Sequence, residues 1–379
     1  MTPTFSAAGL DGPRSVTVAL RVTDNGSLTS MATATIEIAN VVPVLTLTGT
    51  TSGVAGQTLS YSGSFTDPGL KSWTLTVNCG AGGTAGSETI SQALKTFSFT
   101  CTYATTGPKT VTANVDDGDP GGIGTTTLGI VIDFANLQTG VCCAVTGTAL
   151  VIGSLTVNDR IHVNPIGNDG ILQVTIIDRT TGTTAYQASF APPSGGFAQI
   201  VIFGQDADDF IQIADSISIP ACIHAGAGND NIKGGSGDDI LIGGDGNDLI
   251  VGGDGRDLLI GGIGADRLVG NSDDDILIAG STDFDSNDVA LCSILAEWTS
   301  ARSYAVRVQN LRDGTGSVDR RNGDAFLTDA TVHDDGVMDV LTGSAGQDWF
   351  LFNADGDNIA ANDKAADLHS SESSSGVSG

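Results

Sequence analysis

The chain has 379 residues, with 44 Asp or Glu against 16 Lys or Arg, a formal charge of −28. A field of that sign repels nucleic acid and anionic membrane surfaces, so neither is an expected partner. The mean hydropathy of +0.11 argues against wholesale disorder, no run of about 18 apolar residues could span a bilayer, and the length predicts two or three domains.

Met1 leads into polar, strand-like sequence with neither a charged nor an apolar leader region, so no signal peptide is expected. Residues 1–135 alternate with period two, as in Ser15-Val16-Thr17-Val18-Ala19-Leu20, between turn signals such as Asp24-Asn25-Gly26, Asp67-Pro68-Gly69 and Asp117-Gly118. That pattern predicts an antiparallel β-sandwich. Gly12-Pro13-Arg14 through Gly26 echoes Gly107-Pro108-Lys109 through Gly118, so residues 1–40 read as the truncated end of one module and 41–135 as a complete one. The chain therefore reads as a fragment of a longer protein.

Ser64-Phe65-Thr66-Asp67-Pro68-Gly69, Trp73-Thr74-Leu75-Thr76-Val77 and Cys101-Thr102-Tyr103 leading to Asp116-Asp117-Gly118 resemble a PKD-type immunoglobulin-like module. The resemblance implies a spacer or presentation domain. Asn78-Cys79-Gly80-Ala81 stands where that family has an aspartate-rich turn. Cys79 and Cys101 lie on neighbouring strands and could pair. Cys142 and Cys143 are adjacent and poorly placed to pair with each other. Cys292 reads as apolar packing, and without C-x-x-C spacing no zinc site is expected.

Short strands at Leu150-Val151-Ile152, Arg160-Ile161-His162-Val163, Leu172–Ile177 and Gln199–Phe203 make 140–224 a solenoid lead-in. Asp209 precedes Asp230 in a similar setting but by more than two nonapeptides, which predicts a first, wider coil.

Residues 225–278 divide into nonapeptides beginning at Ala225, Gly234, Gly243, Gly252, Gly261 and Gly270. Position six is always Asp: Asp230, Asp239, Asp248, Asp257, Asp266 and Asp275. Position eight is Ile or Leu throughout. This resembles the RTX (hemolysin-type) calcium-binding repeat G-G-x-G-x-D-x-U-x. Glycines at positions one, two and four would permit φ > 0 and close stacking, bringing carbonyls and the position-six carboxylate together as oxygen ligands for calcium. The metal residues so assigned are Asp209, Gly226, Gly228, Asp230, Gly235, Gly237, Asp239, Gly244, Gly246, Asp248, Gly253, Gly255, Asp257, Gly262, Gly264, Asp266 and Asp275, for several Ca2+ ions. Asn271 and Asp273 replace two glycines of the sixth repeat, and both residue types tolerate the left-handed region. Two nonapeptides make one coil, so Asp230, Asp248 and Asp266 should share one edge and Asp239, Asp257 and Asp275 the other. Without cations, such carboxylate rows would repel, and metal binding should be coupled to folding.

Positions seven and nine point outward. In the even repeats they are Ile240/Ile242, Leu258/Ile260 and Ile276/Ile278, an aliphatic face that needs a cover. Leu291, Ile294, Leu295 and Trp298 fall at helical spacing, followed by Tyr304, Val308 and Leu311. Residues 283–331 are therefore predicted to be a helical insert packing on that face, with a homodimer the competing account. Asp283-Phe284-Asp285-Ser286-Asn287 begins like an EF-hand loop but lacks its Gly and Glu, and reads mainly as helix capping. The repeat resumes with Asp339 and Asp348, the last two assigned metal residues, and residues 332–365 should close the stack. The tail 366–379 is low-complexity and expected to be disordered.

Arg267–Gly280 and Ala296-Glu297-Trp298-Thr299-Ser300 are similar to the C-terminal regions of large secreted planctomycete-type proteins, which implies an extracellular or cell-surface location. No H-E-x-x-H, G-x-S-x-G or P-loop is present, and the histidines are scattered, so no enzyme activity is expected. The predicted fold is mainly all-β: an Ig-like/PKD β-sandwich, then a right-handed parallel β-roll (225–282) with a short helical insert. The predicted function is calcium binding that folds a secreted structural or adhesive module, with other cell-surface or matrix components as candidate partners. The alternative is a non-catalytic accessory region of a secreted enzyme.

Overall fold

The computed structural model describes residues 10–69, 72–143 and 147–352, with the backbone of Lys364–Ala365 and Ser373–Gly376. Two compact units are present, Met1–Gly53 with Gln57–Ile132, and Val54–Gly56 with Asp133–Gly379.

In the first unit, Arg14–Thr23 and Thr29–Ile38 pair as an antiparallel hairpin, from Arg14 opposite Ile38 to Thr23 opposite Thr29. The turn closes because Asp24 Oδ1 accepts from the N–H of Gly26 (2.8 Å) and Leu28 (2.9 Å). Two four-stranded sheets follow, one holding Val44–Gly49, Thr58–Thr66, Thr96–Tyr103 and Gly83–Ser91, the other Ser52–Val54, Ile123–Asp133, Gly107–Asp116 and Thr74–Asn78. Alternation decides which side chains are buried: Val111, Ala113 and Val115 point inward and are fully buried, while their neighbours are partly exposed. Tyr61, Phe97, Phe99 and Trp73 fill the core. Cys79 and Cys101 form a disulfide.

The second unit is built on two sheets of mostly parallel strands. Its repeats alternate between them. Asn231, Ile232 and Lys233 lie beside Leu249, Ile250 and Val251, and these beside Arg267, Leu268 and Val269. Ile240, Leu241 and Ile242 lie beside Leu258, Leu259 and Ile260. Every partner is the repeat after next, so two nonapeptides complete a coil. Ile232, Leu241, Ile250, Leu259, Leu268 and Leu277 are fully buried between the sheets.

The 140–224 segment is not purely solenoidal. Asp159–Ile166, Ile171–Asp178 and Thr183–Phe190 form an antiparallel meander, of which only Asp159–Ile166 pairs in parallel with the coil at Phe210–Ile213. This meander occupies one border of its sheet, where a bare parallel strand would invite pairing with another chain.

Helix α1 (Asp288–Trp298) is capped by Asn287, whose Oδ1 accepts from Ala290 N (3.2 Å), and α2 is Tyr304–Arg312. Leu291, Ile294, Trp298, Val308 and Leu311 form one buried cluster with Ile240, Ile242, Leu258, Ile260, Ile276 and Ile278. The aliphatic face thus lies beneath the insert. Stacking resumes beyond it: Arg267 pairs with Val340 and Ile276 with Trp349. Most of the tail expected to be disordered lies outside the described residues, although the backbone of Ser373–Gly376 is placed as a strand beside Trp349–Phe352.

Cys292 packs against the apolar cluster as expected, and it is also joined to Cys143 by a disulfide, with a Cα–Cα distance of 4.9 Å. The 149-residue separation carries no local signal, and only folding of the insert onto the roll brings the two together.

Candidate metal centre

The position-six aspartates form two ladders. At one edge the N–H of Asp209 donates to Asp230 Oδ1 (2.7 Å), Asp230 to Asp248 (2.7 Å), Asp248 to Asp266 (2.8 Å) and Asp266 to Asp339 (2.6 Å). At the other, Ala221 N donates to Asp239 Oδ1 (2.6 Å), Asp239 to Asp257 (2.8 Å), Asp257 to Asp275 (2.9 Å) and Asp275 to Asp348 (2.8 Å). All nine predicted aspartates therefore fall into the rows, Asp339 and Asp348 included.

One carboxylate oxygen is consumed by the ladder, and in six of the aspartates the other is left over. Oδ2 of Asp209, Asp230, Asp239, Asp248, Asp257 and Asp275 is buried and accepts no hydrogen bond. Buried carboxylate oxygens are seldom left so, because the desolvation goes uncompensated. The space they face is defined by the glycine at position one. A Cβ on Gly243 would collide with Asp248 Oδ2 and come within 2.5 Å of Gly261 O, on the next coil. At Gly252 it would meet Asp257 Oδ2 and, at 2.9 Å, Gly270 O; at Gly234, Asp239 Oδ2 and Gly252 O (2.8 Å). Carboxylate and carbonyl oxygens from successive turns thus converge, a set that suits a hard divalent cation such as calcium.

The glycines divide into two kinds. Gly226, Gly228, Gly235, Gly244, Gly246, Gly253, Gly255, Gly262 and Gly264, at positions two and four, have φ between +109° and +140°. The position-one glycines lie outside the left-handed region, as does Gly237 at position four, which packs against Ile219 and Pro220. For position one the expectation of φ > 0 is corrected: what matters there is the missing Cβ, which leaves room beside the carboxylate. Asn271 (φ +86°) and Asp273 (φ +70°) take the left-handed positions of the sixth repeat.

Burial, reinforced by the neighbouring carboxylates, pushes Asp209 up to about 9 and Asp230 and Asp248 up to about 7, from an ordinary 3.8. Asp257 and Asp275 are raised well above the carboxylate range for the same reasons. The ladder hydrogen bonds pull the other way and are outweighed.

Two features of the rows escape the sequence pattern. Asp159 extends the first row, its N–H donating to Asp209 Oδ1 (2.7 Å) while its own Oδ2 accepts from Ser154 Oγ and Leu155 N. No glycine frame marks it. In addition, Gln205 (φ +75°) and Ala207 (φ +81°) occupy the two left-handed positions of a degenerate turn ending at Asp209. Counting back from Asp209 by the repeat's own spacing would have exposed that turn.

The EF-hand-like residues are not gathered at one point. Asp283 pairs with His333 (2.7 Å), Asp285 Oδ2 accepts from Thr282 N (2.9 Å), and Asn287 caps α1. His224 stacks on Phe203 and bonds Asp288 (3.0 Å).

Residues 223–250 and 251–283 match the family model described as the RTX calcium-binding nonapeptide repeat (4 copies). No curated protein matches the chain. Among solved structures, the chain is similar to surface layer protein SbsC, domains 1-6 (14% identity, 50% of this chain and 33% of that one, TM-score 0.21). It is also similar to the S-layer protein rSbsC(31-844) (14% identity, 51% and 34%, TM-score 0.20). The chain spans about a third of the length of either, and likeness of this order carries no functional argument. The stretch from 223 to 283 is a run of calcium-binding RTX nonapeptides, and it forms the coils that carry the two aspartate rows.

Proposed function

We propose that the chain is a non-catalytic structural segment of a secreted or cell-surface protein, folded by calcium held along both edges of its roll, and that it acts in surface architecture or adhesion. The observation that carries this reading is the pair of rows in which each ladder leaves a buried carboxylate oxygen beside a carbonyl of the next coil. Asp209, Asp230, Asp248, Asp266 and Asp339 would hold ions at one edge, and Asp239, Asp257, Asp275 and Asp348 at the other. Bound calcium supplies positive charge that offsets the carboxylate repulsion, so once the rows are deprotonated the ion favours the stacked state. Extracellular calcium modules bind at about 10⁻⁴–10⁻³ M, which keeps such a segment metal-free inside a cell and filled outside. The disulfides Cys79–Cys101 and Cys143–Cys292 support an oxidising location.

The test is isothermal titration of the chelator-stripped chain with calcium, followed by far-UV circular dichroism. Binding of several ions with a gain of β signal is expected. A stripped chain that is already fully β-structured and takes up no calcium would overturn the reading.

A further inference from the structure

A third group of carboxylates lies outside the roll. Asp11 precedes the first hairpin strand, Asp67 lies in the Asp67-Pro68-Gly69 turn, and Asp117 follows the strand Gly107–Asp116. Their nearest oxygens all lie within 4.8 Å of one another. Oxygens that share a calcium ion at about 2.4 Å can be no farther apart than about twice that distance.

The hydrogen bonding has the same division as in the roll. Asp11 Oδ1 accepts from Gly12 N (3.0 Å) and Val41 N (3.0 Å), Asp67 Oδ1 from Gly69 N (2.6 Å), and Asp117 Oδ1 from Asp119 N (2.8 Å). Each backbone bond fixes its carboxylate and leaves Oδ2 buried without a partner. Asp67 is only 6% exposed and Asp117 only 1%. Among the described residues, no lysine, arginine or histidine forms an ion pair with any of the three. The charge of Lys95 reaches Asp67, but its Nζ donates to the Asp67 carbonyl and lies over the Trp73 ring instead of pairing with a carboxylate. Gly69 makes the approach possible, because a Cβ there would stand 2.7 Å from both Asp11 Oδ2 and Asp67 Oδ1.

We propose that Asp11, Asp67 and Asp117 form a separate site for a calcium-class divalent cation, and that the ion fastens the Arg14–Ile38 hairpin to the sandwich. Three convergent, desolvated carboxylates repel one another unless a cation or a shared proton lies among them. Asp67 feels this directly: burial, then the charges of Asp11 and Asp117, raise it above the ordinary carboxylate range. Asp11 reaches into the sandwich from the start of the hairpin, and Val41 N holds it from the chain leaving the hairpin. Both ends of the hairpin are therefore tied to the proposed ion. The site shares no residue with the roll and stands or falls independently of it.

Hydrogen exchange of the full chain, read peptide by peptide in EDTA and in millimolar calcium, tests the proposal. In the wild type, calcium should slow exchange across residues 10–40 and 117–122 by about tenfold, as a ligand at about ten times its dissociation constant does. Asp117→Asn and Asp67→Asn should each abolish that slowing while any calcium effect on residues 225–278 is retained. In EDTA both variants should exchange no faster than the wild type, since each removes repulsion. If calcium leaves residues 10–40 unchanged in the wild type, a shared proton rather than a metal holds the cluster and the proposal fails. It fails equally if the variants loosen the hairpin to the same extent in EDTA and in calcium, which is the signature of a purely structural role.

Discussion

The two edges of the roll are built from the same nonapeptide and are finished differently. Along the Asp230–Asp248–Asp266 edge, position five holds Asn229, Asn247 and Ala265, and neutral amides run up the turns: Asn247 N and Nδ2 both donate to Asn229 Oδ1 (3.0 Å), and Ala265 N to Asn247 Oδ1 (2.7 Å). Along the Asp239–Asp257–Asp275 edge the same position holds Asp238, Arg256 and Asp274, and the insert reaches over it. Arg307 bonds Asp274, Arg256 Nη1 donates to Ser300 O (3.1 Å), Trp298 Nε1 to Asp274 O (2.6 Å), and Tyr304 OH to Asp348 O (2.8 Å). The first edge has one guanidinium at its head, Arg179 beside Asp208 and Asp209, and its inner turns carry amides instead of charges at position five. The other supplies guanidinium groups and a roof of its own at the end where the insert sits. A repeat thus sets the positions of carboxylates, while what lies beyond the repeat sets how dependent each edge is on the ion.

The largest expected effect acts on both rows together and is a reversal with pH. In the metal-free folded chain Asp209, Asp230 and Asp248 of one row and Asp239 of the other bind protons more tightly than in the unfolded chain. Their contribution to stability is complete below about pH 4 and is lost as pH rises through about 7 to 9. Calcium takes the deprotonated form, so the loaded protein should gain stability over the same range. Denaturation midpoints at pH 5 and 8, in EDTA and in calcium, should therefore shift in opposite directions; parallel shifts would refute the buried rows.

Trp298→Ala should separate the edges. The side chain is fully buried and its N–H satisfies Asp274 O, so removal should cost about 3–5 kcal/mol by chemical denaturation. Exchange should rise at residues 240–242 and 258–260, with residues 231–233 and 249–251 less affected; equal loss on both sides would erase the distinction. Replacing both Cys143 and Cys292 by Ser should cost about 2–4 kcal/mol, again centred on the insert. Asp248→Asn should lower calcium affinity at its edge about tenfold, equivalent to about 1.4 kcal/mol, as read by titration. Asp257→Asn should do the same at the roofed edge, with slower release to a chelator in the wild type there. The smallest effect is a gain: Ala207→Gly relieves a left-handed alanine, offset in part by glycine's greater unfolded-state freedom, and should stabilise by about 0.5–1 kcal/mol in thermal unfolding.

The roll was legible because its period is written in residue types. Asp at position six and Leu or Ile at position eight give the register, the two edges and the return at Asp339 without any contact map. The need for a cover followed from Ile242 and Ile260 lying in register on an outward face. What resisted reading depends on chain segments that meet only in three dimensions. Cys143 and Cys292, Asp159 at the head of the first row, and Asp11 with Asp67 and Asp117 are each separated by intervals that no repeat or local periodicity predicts. The meander from Asp159 to Phe190 was obscured for another reason: its strands carry the same alternation as the solenoid, and alternation does not distinguish an antiparallel neighbour from a parallel one.

The insert also has a bearing on the order in which the molecule assembles. Up to Val269 each coil closes on the one two nonapeptides before it, whereas Arg267 meets Val340 only across the whole insert. Joining ends over a span about four times as long costs about 1.2 kcal/mol more loop-closure entropy if the intervening chain is unstructured. Earlier coils can therefore propagate by nearest-neighbour addition, like links in a one-dimensional array. The coil through Asp339 and Asp348 has the highest contact order in the roll and should zip last, after α1 and α2 have folded and shortened the span, which makes the seam at Val340 the kinetic bottleneck of assembly and the first coil to open.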